Sequence, residues 1–312
     1  MFDRPVNRRT VIGGMAVVAA AAPFAQAATA ASPSFLVVGD WGRDGAQHQR
    51  DVAMAMGKAA HELKARFVLS VGDNFYENGV QSANDRQWQT SFEDIYTDPA
   101  LQVPWHVALG NHDYRGNPQA QLDYAKRSRR WKMPSRYHVL RGADIGMPDT
   151  DLFVIDSSPL VHSYRTKVDS QIARNVASQD SEAQVAWLDR ALSASRASRK
   201  LVVGHHTIRS GGSGHGDTPE MVAVIKPLLE RHGVQAYING HDHDLQHIVD
   251  NGVAYLGCGA GSEVRPVKPV AGTKFCVARS GFAAITLDKG GMGVEFRDYA
   301  GASLYRTVIA RA

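Results

Sequence analysis

Short apolar runs, each closed by a glycine and then by an oxygen or imidazole side chain, recur five times along this chain. Phe35-Leu36-Val37-Val38 runs into Gly39-Asp40, and Phe67-Val68-Leu69-Ser70-Val71 into Gly72-Asp73. Trp105-His106-Val107-Ala108-Leu109 runs into Gly110-Asn111-His112-Asp113, Leu201-Val202-Val203 into Gly204-His205, and Ala236-Tyr237-Ile238 into Gly240-His241-Asp242-His243. Runs of this length and composition, bounded in this way, predict buried strands. Between the first two, Val52, Met56, Ala59, Ala60 and Leu63 recur at helical spacing, so residues 47–63 predict a helix. A strand, a helix and a strand in succession make a parallel pair. Asp40 and Asp73 then emerge on one edge, and because ligands of open α/β sheets sit beyond the carboxyl ends of the strands, the five motifs predict one shared site.

The remaining pattern fills in around this frame. Residues 87–95 predict a helix at the rim of the site, 152–155 a further buried strand, and 162–180, polar and without a clear period, a long surface loop. The basic run 126–132, which holds one tryptophan, is expected to be a solvated helix face rather than a nucleic-acid patch. Ser181 and Gln184 have the spacing of a capping box ahead of a helix that leads to the His205 strand. Residues 210–217, rich in glycine, predict a flexible loop. A helix is expected over 220–231 despite Pro227, a strand over 234–238, and short strands with tight turns thereafter, around 253–256, 283–287 and 294–296. Gly257-Cys258-Gly259-Ala260-Gly261 follows no βαβ unit and opens no evident helix, which argues against a dinucleotide site. No repeat or linker interrupts the alternation, so the fold class is α/β in a single domain.

Charge changes the picture only at the start of the chain. Asn7-Arg8-Arg9-Thr10 precedes an apolar run over 11–22 and then Ala25-Gln26-Ala27, the layout of a twin-arginine signal peptide with a small-residue cleavage site. Gly13, Gly14 and Pro23 interrupt that run and leave it short for a membrane span. The expected division is a signal peptide at 1–27 and a mature domain at 28–312. The formal charge of +4 falls to about +2 when three arginines and one aspartate leave with the signal. The expectation is therefore a bacterial periplasmic or secreted monomer, with no stable membrane association after cleavage and no nucleic-acid partner. Twin-arginine export carries folded proteins, which suits a protein that takes up metal before leaving the cytoplasm. Cys258 and Cys276 could pair in an oxidising compartment or remain two buried thiols, and their spacing leaves both open. Neither has a partner at zinc-site spacing.

The chemistry lies in Asp40, Asp73, Tyr76, Asn111, His205, His241 and His243. Oxygen and imidazole donors without thiolate suit first-row metals of intermediate to hard character. Seven groups are too many for one ion and suit two, with Asp73 able to bridge. Tyr76 is the sharpest clue: a phenol with a pKa of about 10 becomes a good ligand near neutrality only beside a strongly Lewis-acidic ion, and Fe(III) fits better than zinc or magnesium. Two carboxylates and a phenolate beside Fe(III) and a divalent ion leave the centre electropositive, suited to a phosphate dianion. His48, His61, His106, His138, His162, His232 and His247 have no metal context.

Together, Gly39-Asp40-Trp41-Gly42, Gly72-Asp73-Asn74-Phe75-Tyr76, Gly110-Asn111-His112-Asp113, Val202-Val203-Gly204-His205 and Gly240-His241-Asp242-His243 resemble the five metal motifs of the purple acid phosphatases, within the calcineurin-like metallophosphoesterases. Gly79-Val80-Gln81, Phe92-Glu93-Asp94 and Val103-Pro104-Trp105 are similar to the small tartrate-resistant type, and the resemblance covers most of 34–262. It implies an αββα fold of two packed mixed sheets flanked by helices. It implies that Asp40, Tyr76, His243 and bridging Asp73 hold Fe(III), and that Asn111, His205, His241 and the same bridge hold a divalent Fe, Zn or Mn. The wider superfamily commonly has an aspartate where Tyr76 stands. The implied reaction is hydrolysis of small phosphomonoesters through a metal-bound hydroxide, at acidic pH, with His112 as proton donor to the leaving group. His215 is a second acid candidate or an exposed loop histidine. A phosphodiesterase of the same superfamily, or a non-catalytic metal- or phosphate-binding module, are the alternatives. His206 is an extra imidazole against the animal pattern, and nothing is carried over beyond Glu263.

Overall fold

The computed structural model describes Met1, residues 32–167 and residues 169–310, so the leader assigned to 1–27 lies, Met1 apart, outside the described residues. The compact unit begins at Ser32. Its first half holds β1 (Ser34–Val38), α1 (Gln49–Leu63), β2 (Val68–Val71), β3 (Trp105–Ala108), α2 (Pro118–Ala125), β4 (Trp131–Lys132), β5 (His138–Leu140) and β6 (Thr150–Val154). Next come α3 (His162–Thr166), α4 (Gln171–Ala177), α5 (Ser181–Ala194), β7 (Arg199–Val203), α6 (Pro219–Val224), α7 (Lys226–Arg231) and β8 (Ala236–Asn239). The chain closes with β9 (Leu245–Asp250), β10 (Val253–Cys258), β11 (Thr273–Val277), β12 (Gly281–Leu287), β13 (Gly291–Asp298) and β14 (Ser303–Ala310).

These strands form two mixed sheets of seven, in the orders β14-β13-β12-β1-β2-β3-β4 and β11-β9-β10-β8-β7-β6-β5. The central runs read as continuously apolar because both of their faces are covered. Val37, Leu69, Val71, Leu152, Val154, Leu201, Val203 and Ile238 meet in the layer between the sheets. Their alternates Leu36, Val38, Val68 and Val107 pack against α1 and α2, while Phe153, Val202 and Tyr237 pack against α5, α6 and α7. The chain therefore has the expected layering, helix, sheet, sheet, helix.

Several expectations need correction. Residues 162–180 are not a loop: they hold α3 and α4, and only Ile172 and Val176, one turn apart, anchor α4. Two apolar positions give too little period to recognise. The N-cap of α5 is Asp180, which accepts from the Ala183 amide, and Gln184 instead bonds the Asp156 backbone. Pro227, which offers no amide hydrogen, divides 219–231 into α6 and α7. The basic run is no helix face, since it follows the end of α2 and turns inward. Arg130 is buried on Glu93 at 2.6 Å, and Trp131 is core. Both cysteines are free thiols. β9 lies between their strands, with Leu245 opposite Cys258 on one side and Gln246 opposite Cys276 on the other. Two strand spacings of about 4.8 Å exceed the reach of a disulfide.

His106 and His138 sit near the open edges of the two sheets, and burial is the main force pushing each ring down to about 4. Neither nitrogen of His138 makes a well-formed hydrogen bond, and only the Ser135 backbone partly offsets its burial. A folded-state pKa below the unfolded value near 6.5 means that the unfolded chain takes up protons the native fold refuses. Stability should therefore fall as pH drops from about 6.5 toward 4. His138→Leu is expected to remove about 2 kcal/mol of the stability lost between pH 7.5 and 4.5. Urea unfolding at the two pH values measures this, and an unchanged pH dependence in the variant refutes it.

Candidate metal centre

β1, β2 and β3 run parallel side by side, as do β7 and β8, so Asp40, Asp73, Asn111, His205 and His241 leave the sheets at their carboxyl ends. The glycines ahead of them permit close approach. A Cβ at Gly110 would fall on the Asp73 carboxylate, and one at Gly240 on that of Asp40. Asp40, Asp73 and His241 adopt φ of 59°, 50° and 74°. That is left-handed backbone, which costs a residue with a Cβ roughly 1–3 kcal/mol and persists only where its surroundings impose it.

Two nests of donors result. Around Tyr76 Oη lie Asp40 Oδ1 at 3.0 Å, Asp73 Oδ2 at 3.1 Å and His243 Nε2 at 3.1 Å. Around His205 Nε2 lie Asn111 Oδ1 at 3.2 Å, His241 Nδ1 at 3.2 Å and Asp73 Oδ2 at 3.4 Å. One oxygen, Asp73 Oδ2, belongs to both. His205 Nδ1 donates to the Val71 carbonyl at 3.0 Å, which turns Nε2 toward the nest. All seven predicted residues are buried and gathered here.

The electrostatics match a cation site. Burial pushes the Asp40 carboxyl well above its usual range, with Asp73 adding to the rise and His205 opposing it. Burial also acts to raise Asp73, but the charges of His205 and His112 and their hydrogen bonds outweigh it and hold that carboxyl low. The Tyr76 phenol is pushed well above its ordinary value by burial and then by the two aspartates. Burial opposes protonation of His205, yet Asp73 and Asp40 lift its ring to about 9. Burial keeps His241 and His243 neutral, the latter at about 3, with lone pairs available for coordination. A multivalent cation would oppose the rises at Asp40, Tyr76 and His205, because it favours carboxylate, phenolate and neutral imidazole alike. The donor set thus fits the metals that its chemistry implies.

The two proton-donor candidates lie at the rim. His112 donates its backbone N–H to Asp73 Oδ1 at 2.7 Å, and its Nδ1 lies 2.7 Å from the Glu77 carbonyl. Its Nε2 faces inward, 4.0 Å from Asp73 Oδ2. His215 is exposed and stacks on the His241 ring with centroids 3.9 Å apart. The loop that carries it is tethered despite its glycines: the His215 and Gly216 amides donate to the Asp242 carboxylate at 2.9 and 3.0 Å, and Ser213 to the Pro266 carbonyl at 2.9 Å. The extra imidazole, His206, is buried, bonded to Ser157 Oγ at 2.8 Å and Tyr164 Oη at 3.0 Å, and borders His241.

Sequence reasoning missed other members. The Arg43 guanidinium lies 3.8 Å over the Tyr76 ring and pairs with Glu77 and Glu263 at 2.6 and 2.7 Å. Asp242 holds the His215 loop, and Asp113 accepts the Gly110 amide at 2.8 Å. The glycine run after β10 forms the floor: a Cβ at Gly259 would strike the Asp242 carbonyl, and the Gly261 amide donates to the Gly39 carbonyl at 3.0 Å. That run was the available signal, since consecutive glycines mark close backbone approach as well as nucleotide loops.

The family model for the calcineurin-like phosphoesterases matches residues 33–245, a span that takes in all five motifs. The chain is 39% identical over 286 residues to purple acid phosphatase 4 of Arabidopsis thaliana, covering 88% of this chain and 83% of that protein. It is 36% identical over 298 residues to human tartrate-resistant acid phosphatase type 5, covering 89% and 90%. Among solved structures, GAP50, the anchor in the inner membrane complex of Plasmodium, superposes with a TM-score of 0.77 at 24% identity over 90% of each chain, a likeness of fold.

Proposed function

The chain belongs to the purple acid phosphatases of the calcineurin-like phosphoesterase superfamily, and from that premise we propose that it is an exported acid phosphatase that holds Fe(III) and a divalent metal side by side. As a member it is a metal-dependent phosphomonoester hydrolase. In this reading Asp40, Tyr76 and His243 hold Fe(III), Asn111, His205 and His241 hold a divalent Fe, Zn or Mn, and Asp73 serves both. The observation that carries it is the position of Asp73 Oδ2 in two nests at once, one of them built around a phenol.

Bound there, the cations would supply Lewis acidity toward the phosphoryl oxygens and the attacking water. The protein supplies placement and a proton. Donation from His112 Nδ1 to the Glu77 carbonyl leaves Nε2 as the atom that faces the site and delivers a proton to the departing alkoxide. Burial lowers the His112 pKa while Asp73 opposes that fall, so the ring gives up its proton readily. His215, stacked over His241 and with its loop fixed by Asp242, stands beside the His205 nest as a second donor or a substrate contact.

The twin-arginine pattern at 7–27 supports periplasmic or secreted location, and among the described residues no helix is long and apolar enough to cross a membrane. Tyr76→Phe on the exported form tests the reading. The parent is expected to carry iron, a visible tyrosinate-to-iron absorption band and an N-terminus at residue 28, and the variant to lose the band. An iron-loaded parent without visible absorption would defeat the phenolate assignment.

A further inference from the structure

The sandwich is not sealed at one side. Where β4 and β5, the last strands of the two sheets, approach each other, a cavity of about 900 Å³ opens. Phe67, Leu140 and Ile145 give it apolar walls that continue the layer between the sheets, and Met133 with Leu122 and Ala125 of α2 closes it from the helix side of the first sheet. It is lined by Arg66, Phe67 and Pro104, ahead of the amino ends of β2 and β3. The metal centre lies at the opposite end of those strands, roughly 13 Å farther along four residues of β3.

The charges at its wall are uneven. Arg66, Lys126 and Lys132 line it against a single carboxylate, Asp144. Lys126 is paired with Asp123 at 2.7 Å. Arg66 and Lys132 form no ion pair among the described residues, and the Arg66 guanidinium rests against Gly146 at the rim. On the wall, His106 stands edge-on to Phe67 with its Nδ1 buried and unpartnered. Its volume is that of a small-molecule site, and its composition is mostly apolar with a few convergent polar groups.

We propose that this cavity is a second binding site, for a small amphiphilic carboxylate whose apolar body enters between the sheets and whose head is held by Arg66 and Lys132. Charge complementarity selects the anion: a neutral ligand of the same body would leave two cations without a partner, and a head without a body would leave the apolar walls wet. The site uses none of the residues assigned to the metals, so it is occupied independently of hydrolysis.

Calorimetric titration of the metal-loaded protein with decanoate tests this, with decanol and acetate as the body-only and head-only controls. One equivalent of decanoate is expected to bind, at least tenfold more tightly than either control, and without displacement by inorganic phosphate. The double variant Arg66→Glu, Lys132→Glu should weaken decanoate at least tenfold while leaving turnover of p-nitrophenyl phosphate unchanged. Ile145→Trp, which fills the cavity from its rim, should abolish binding with the charges intact. Turnover serves as the fold control in each variant. Equal affinity for decanol, insensitivity to both variants, displacement by phosphate, or no binding at all would each overturn the proposal.

Discussion

Asp73→Asn should strip the protein of its ability to hold two metals, reducing metal content from two ions per chain to one or none. The cause is a single atom. Asp73 Oδ2 stands 3.1 Å from Tyr76 Oη and 3.4 Å from His205 Nε2, at the junction of the two donor nests. An amide of the same shape keeps one oxygen and loses the charge, and its NH₂ group cannot coordinate a cation. The other oxygen, Oδ1, accepts the His112 amide at 2.7 Å, so the one oxygen an asparagine keeps can stay on that amide only by turning its NH₂ group toward the two nests. Losing the shared, charged oxygen should cost kcat/KM at least about 10³-fold, on the order of 4 kcal/mol at the transition state. Elemental analysis and initial rates on the purified variant measure the two effects. Two metals retained with near-parental activity would show that the carboxylate does not bridge.

His112→Asn should leave metal content intact and slow turnover by about 10² to 10⁴-fold on an alkyl phosphate such as glycerol 2-phosphate. On p-nitrophenyl phosphate the loss should be much smaller, because p-nitrophenolate departs without needing a proton. The contrast follows from geometry: the ring is held by the Glu77 carbonyl at 2.7 Å and leans on Tyr76 with centroids 4.3 Å apart, which leaves Nε2, 4.0 Å from Asp73 Oδ2, as the nitrogen aimed into the site and the proposed source of the proton. Equal losses on the two substrates would mean that His112 orients substrate and donates no proton.

Much of this was legible in the pattern of residues, for a reason particular to the fold. The strands that carry the site are buried on both faces, so each appears as an apolar run interrupted at most by one polar residue, Ser70 or His106, and parallel pairing then fixes which ends coincide. Gly110 and Gly240 are visible for a related reason, since no larger residue fits against Asp73 and Asp40. The remainder failed where local signal was thin or the decisive partner was distant. α4 is anchored by two residues, and β4 is two residues long. β14 alternates between half-buried and exposed positions at the edge of its sheet. The loop at 210–217 has the composition of a free loop and is tied down by Asp242, a residue 27 positions from His215. Arg43 could be found only by knowing that the turn after β1 folds over the phenol of Tyr76.

The positive φ angles at Asp40, Asp73 and His241 have an evolutionary implication. Glycine would sit in each of those turns with less conformational penalty, so a lineage released from hydrolysis would gain robustness by drifting to glycine there. Every such step would discard a donor. Resistance to unfolding and phosphatase chemistry therefore pull these three positions in opposite directions, and a heat-stability selection applied without an activity screen should recover inactive survivors altered at them.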